Sequence, residues 1–302
     1  MSFDENPIIN SPFHAPQWYY ELGENRQPTP EKLPGRRPSF YYTPVVHTGR
    51  RSAKQLEIAL DDEGGKTRVT ENVLVNEIRR VVDQWRQLPI SRRGVSPETQ
   101  RLLEHWTGPD RERKLFFCQV EALETLIYLS EVDPGRFVRQ LEEANAAGAA
   151  NLYRMACKMA TGSGKTTVMA MIIAWHAVNA SRRSGRRSRR RGAIPFSDSF
   201  LVVTPGITIR DRLRVLKPED PQNIYEALDL IPRDMMDDLR KARIVITNYH
   251  AFQRKVKETV NPRTREILTE RGDDPKELFR ETDDDMVGRI MDKSMNRRNI
   301  VA

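Results

Sequence analysis

Apolar positions recur at helical spacing through the first half of the chain, then give way to alternating strand-like and helix-like blocks. Leu74, Ile78, Val81, Val82, Trp85 and Leu88 share one helical face, which predicts an amphipathic helix over about 71–88. Ser96-Pro97-Glu98-Thr99 reads as an N-cap with proline at the first helical position, opening a helix that runs to about His105. Val120, Leu123, Leu126 and Ile127 put an apolar face on a helix from about Gln119 to Ser130, and Phe137, Val138 and Leu141 begin another. From Leu152 the texture changes. Residues 152–159 alternate like a strand, and 167–175 read as a buried helix. Phe200–Pro205 reads as a short buried strand and Ile207–Leu216 as a helix. Further helices are expected near Ile224–Leu230 and Pro232–Arg240, then a third strand over Arg243–Asn248. This β-α-β-α-β order predicts a parallel sheet with helices on both faces and ligands at the carboxyl ends of its strands.

The ends of the chain differ from its middle. Residues 1–50 hold many prolines and aromatics, so long helices are excluded there, and the aromatics suggest a segment that packs along a surface. After about Val256 the chain is strongly charged and reads as solvated helices, with Thr282-Asp283-Asp284-Asp285 the most acidic stretch. The expected division is a leader at 1–50, a helical segment at 51–112, and a nucleotide-binding domain at 113–302.

Composition changes the picture little. With 302 residues, 38% hydrophobic and 30% charged, the chain can support a core. No apolar run approaches the roughly 20 residues that span a bilayer. No basic stretch followed by an apolar one opens the sequence, so a cytoplasmic protein is expected. Cys118 and Cys157 lack metal spacing, and the five histidines form no i, i+4 pair. The net charge of +8 is carried by one loop, 181–192. Its seven arginines (182, 183, 186, 187 and 189–191) account for the excess, because without them the balance falls to +1. Such a run can bind phosphates without reading sequence, or it can be a solvated insertion.

The chemistry lies in Met159-Ala160-Thr161-Gly162-Ser163-Gly164-Lys165-Thr166-Thr167. Gly162 and Gly164 let the backbone aim several amides at one point, and the helix starting near Lys165 adds the positive end of its dipole. Lys165 reaches the β- and γ-phosphates, and the Thr166 hydroxyl takes a place on Mg²⁺. The general phosphate-loop pattern wants glycine where Met159 stands, but the strand-turn-helix context supports the assignment.

Four stretches together resemble the N-terminal part of superfamily 2 DEAD/DEAH-box helicases, and more narrowly the ATPase subunit of type III restriction enzymes. They are Phe116-Phe117-Cys118-Gln119, Thr161–Thr166, Val203-Thr204-Pro205-Gly206 with Ile209-Arg210-Asp211, and Thr247-Asn248-Tyr249-His250. The resemblance runs from about 115 to 255 and implies a RecA-like P-loop NTPase domain that uses ATP and Mg²⁺. It implies that Gln119 contacts adenine and that residues 161–167 hold the triphosphate, with Lys165 stabilising transferred charge. It further implies that Thr204, Pro205, Gly206, Arg210, Asn248, Tyr249 and His250 follow a nucleic-acid strand, double-stranded DNA rather than RNA. A modification methyltransferase subunit is an implied partner. The family's Asp-Glu-Ala-His box, whose carboxylates hold Mg²⁺ and position water, is not in the sequence. The expectation is therefore an N-terminal piece of a translocase that is hydrolytically incompetent by itself. The phosphate loop alone would also fit a small-molecule kinase or a non-catalytic nucleotide-binding module.

Overall fold

The computed structural model describes residues 8–23, 27–44, 67–132, 135–147, 153–183, 195–255, 281–291, 293, 295 and 299–302. The charged stretch 256–280 and arginines 186, 187 and 189–191 lie outside the described residues. Two compact units emerge.

The first unit comprises Met1–Arg93, Phe116–Cys118 and Phe137–Arg154. Among the described residues of its proline-rich start there is no long helix. Strands β1 (Trp18–Leu22) and β2 (Pro28–Pro34) pair antiparallel, and β3 (Phe40–Pro44) pairs antiparallel with β4 (Thr67–Glu71). Prolines are tolerated in β2 because, among the described residues, this ladder has two strands and each keeps an edge without a ladder partner. Lys32 lies over the Trp18 ring and Arg37 over Tyr19, so two of the leader's aromatics are covered by cations. Helix α1 (Val73–Arg86) begins at Asn72, whose side chain accepts from the Val75 amide, and buries Ile78, Val81, Val82 and Trp85 as its periodicity predicts. Arg93 donates to the Leu88 and Arg86 carbonyls, satisfying the carboxyl end of α1.

The second unit comprises Gly94–Leu115, Gln119–Arg136 and Met155–Ala302. Helix α2 (Pro97–Thr107) is capped by the Ser96 hydroxyl and buries Leu102, Leu103 and Trp106. Helix α3 (Phe117–Ile127) runs into a π turn at Tyr128–Val132. The short helix α4 (Val138–Ala146) follows in the first unit. The 18-residue α5 (Lys165–Arg182) is apolar on nearly all sides, and Ala170, Met171, Ala174, Trp175 and Val178 are buried. Strands β5 (Ser199–Thr204) and β6 (Arg243–Asn248) pair in parallel, from Ser199 opposite Arg243 to Thr204 opposite Asn248. Between them lie α6 (Ile207–Arg212) with a 3-10 turn at Leu213–Leu216, α7 (Ile224–Ala227), and α8 (Met236–Leu239). Helix α9 (Asp283–Ile290) opens on a capping box made by Thr282 and Asp285.

Helices α2 and α5 and the π turn meet at Glu131. Its carboxylate accepts from the Thr99 hydroxyl at 2.6 Å, the Trp175 indole at 2.7 Å and the Ser96 amide at 2.9 Å. Asn179 extends the network by donating to the Thr99 hydroxyl oxygen. A buried polar cluster is stable only when its members satisfy one another, and these do. At the far end of α5, Asp238 of α8 receives Ser181, Arg182 and Lys241. Arg183 approaches Glu98 at 3.7 Å. The two described arginines of the 181–192 loop are thus engaged with carboxylates.

The strand expected over 152–159 is not formed. Residues 153–160 carry no regular structure, and Leu152 lies outside the described residues. Alternation of side chains makes a strand only where a neighbour supplies ladder hydrogen bonds. One edge of β5 is taken by β6 and the other by Val301, whose amide and carbonyl bond Ser199 and Leu201 in a parallel bridge at Phe200. The helix expected over Ile224–Leu230 stops at Ala227, and Asp229 turns left-handed at φ 49°. Pro232–Arg240 likewise resolves into a 3-10 turn and the four residues of α8.

Candidate functional site

The loop from Ala160 to Thr166 joins the irregular segment to α5. Gly162 has φ 78° and Gly164 has φ 79°, a region L side chains rarely adopt. Gly164 is also tightly approached, since a Cβ built there would stand 2.1 Å from the Gln119 amide nitrogen. At Gly162 such an atom would meet nothing within 4 Å. One glycine is therefore required by backbone conformation alone, the other by conformation and packing.

Gly164 caps α5 without a side chain. The next two residues are Lys165 and Thr166, whose amides have no acceptor within the helix. Aligned peptide dipoles make this end favourable for anions. Lys165 is exposed, Thr166 half-buried and Thr167 buried. The Lys165 ammonium donates to the Ala160 carbonyl at 2.7 Å. The Ser163 hydroxyl donates to the same oxygen at 2.7 Å, and the Ser163 amide at 3.4 Å. From behind, the Gln119 amide donates to the Ser163 carbonyl at 3.0 Å. Gln119 is buried against the loop, so this glutamine, expected to contact adenine, holds the loop's backbone here. Thr161 and Gly162 are exposed.

The second group of expected residues lies at the carboxyl ends of β5 and β6. Thr204 is 3% exposed, and its hydroxyl contacts the Gly206 and Thr247 carbonyls at 3.0 and 3.3 Å. Its proton is used inside the turn, so Thr204 shapes the strand end, while Pro205 and Gly206 continue from it into α6. Asn248 accepts from the Ala251 amide and caps the turn Tyr249–Phe252. Tyr249 is half exposed, with its ring 3.9 Å from that of His250. Arg210 pairs with Asp211 at 2.9 Å. Val203, Ile207 and Ile209 expose apolar surface at the same strand end. Parallel pairing puts Thr204 and Asn248 side by side, so two of the expected sequence stretches share one edge.

Two titratable groups report on the frame around the loop. Burial pushes the His176 imidazole down to about 4, and its Nδ1 accepts from the Ser197 amide, so it is a neutral core residue. Burial alone would raise the Asp238 carboxyl, but hydrogen bonds from Ser181, Arg182 and Lys241 outweigh it and hold the group at about 2. Among the described residues, no group of three or more His, Cys, Asp or Glu is arranged to hold a metal. Among them, no helix is long and apolar enough to cross a membrane. The acceptor at the centre of the loop, the Ala160 carbonyl, is invisible to side-chain patterns, because every residue carries that group.

Glycines in left-handed turns with a lysine and a threonine in the first helical turn are the elements of a phosphate-binding loop, here preceded by an irregular segment rather than a strand. Residues 112–279, more than half of the chain, match the type III restriction enzyme res subunit family, and the chain belongs to it. That family implies a RecA-like P-loop fold, of which the described residues contain the parallel β5–β6 pair and its helices. No curated protein and no solved structure matches the chain.

Proposed function

We propose that this chain is the ATP-holding part of an ATP-dependent DNA helicase or translocase in a restriction system. The carrying observation is the loop: Gly162 and Gly164 turn left-handed into a helix whose first residues are Lys165 and Thr166. Amides of residues 162–166 and the Lys165 ammonium would hold the phosphates, and the Thr166 hydroxyl would take a place on Mg²⁺. The residues fit such a group, because the loop at Gly162 is open, with no atom within 4 Å of where a Cβ would stand, and an ammonium, a hydroxyl and backbone amides lie on it. When bound, Mg²⁺ would neutralise phosphate charge.

The strand ends supply the reading of DNA as partner. Gly206 and the start of α6 offer backbone amides, and Tyr249 offers an exposed ring, a combination that tracks a backbone without reading bases. Membership in the res subunit family supports DNA over RNA. A methyltransferase subunit is the partner this reading expects. The sequence contains no Asp-Glu-Ala-His box, so the chain by itself should hold ATP with little or no turnover.

The test is titration of labelled duplex DNA with and without Mg·ATP. Salt-sensitive binding that Mg·ATP changes several-fold, weakened about 5- to 100-fold by Tyr249→Ala, is expected. DNA affinity indifferent to both nucleotide and Tyr249 would remove the motor reading. Phosphorylation of a small metabolite would point to a kinase instead.

A further inference from the structure

The geometry points to a phosphate loop that occupies itself. The inference rests on the loop being a triphosphate site and concerns how that site opens. Three donors of the loop, the Lys165 ammonium, the Ser163 hydroxyl and the Ser163 amide, converge on one oxygen, the Ala160 carbonyl. Lysine, hydroxyl and backbone amide are the donor types that hold a phosphate oxygen. Here an internal carbonyl takes all three.

Ser163 is the clasp. Its amide and hydroxyl hold Ala160, and its carbonyl accepts from the buried Gln119 amide at 3.0 Å. The loop is thereby tied on both sides, to its own start and to α3. A phosphate cannot receive the Ser163 hydroxyl and amide while Ala160 has them, so their delivery to a nucleotide requires these two bonds to break. The Lys165 ammonium, with three N–H groups, adds to the hold on Ala160 without being used up by it. Apparent affinity then falls by the fraction of chains whose loop is open. A net hydrogen bond shifts such an equilibrium about five-fold. Ser163 therefore sets how fast and how often the site becomes available, a role separate from any contact it later makes to phosphate.

Rapid mixing of the full 302-residue chain with Mg²⁺ and a fluorescent ribose-labelled ATP analogue tests this. The observed rate should level off at high analogue concentration, because loop opening becomes limiting. Ser163→Ala should raise that ceiling about five-fold. Ser163→Thr, which keeps the hydroxyl, should stay near the parent. Uptake by Ser163→Ala but not by the parent would also support the gate. A rate that climbs linearly in both chains, or a ceiling that Ser163→Ala leaves unchanged or lowers, overturns it while the triphosphate site stands. No uptake by either chain removes the gate and the site together.

Discussion

Gly162 and Gly164 share a left-handed backbone, yet alanine should cost more at one than at the other. At Gly162 the penalty is the conformation alone, about 1–2 kcal/mol. At Gly164 the same penalty is joined by a collision with the buried Gln119 amide. Gly164→Ala should therefore lower the thermal midpoint further than Gly162→Ala. Equal midpoints would mean that Gln119 moves away freely. His176 supports a second prediction at this scale. The folded protein keeps the ring neutral down to about 4, while the unfolded chain takes up a proton near the ordinary imidazole value of 6.5. The unfolded state thus binds more protons between those values, and stability falls as pH drops from about 6.5 to about 4, by up to ~3 kcal/mol. Below that window the contribution is constant. Denaturant midpoints measured from pH 7 to 4 should show the slope, and His176→Phe, which cannot titrate, should flatten it.

The sheet-and-helix unit gains a helix that lies outside the family match. Helix α2 ends before residue 112, yet Trp106 is 2% exposed and its indole donates to the Leu230 carbonyl at 2.7 Å. Trp106→Ala should cost about 3–5 kcal/mol of the second unit's stability, read by urea unfolding. A loss under about 1 kcal/mol would make α2 an attachment rather than part of the core. The joint between α5 and α8 gives an acid limit. Asp238 is held at about 2 against the ordinary carboxyl value of 3.8, so its contribution is complete above about 4 and is lost as pH falls through about 2. Asp238→Asn should remove that part of the acid transition. Much at this scale was legible in the sequence. The faces of α1 and α2 follow their apolar spacing, Ser96-Pro97 starts α2 as its chemistry requires, and β5 and β6 fall where β-branched runs put them. The strand expected over 152–159 does not form among its described residues, 153–159, because alternation carries no information about whether a neighbouring strand is present to pair. Helix α7 was overestimated because the turn at Asp229 is fixed by surroundings: His105 and Arg111 both bond backbone carbonyls there.

At the scale of the whole molecule, a loop, two strand ends and a family membership carry the account. The loop was legible because its glycines and lysine are side-chain requirements. The engagement of Ala160 was not, since a backbone carbonyl leaves no trace in a pattern of residues. Calorimetric titration of Mg·ATP into the folded chain tests the central claim most directly, with Lys165→Ala alongside. Saturable one-to-one uptake by the parent, weakened about 10- to 100-fold when the ammonium is removed, is the predicted result. No heat of binding from folded protein, or affinity that Lys165→Ala leaves untouched, would contradict it.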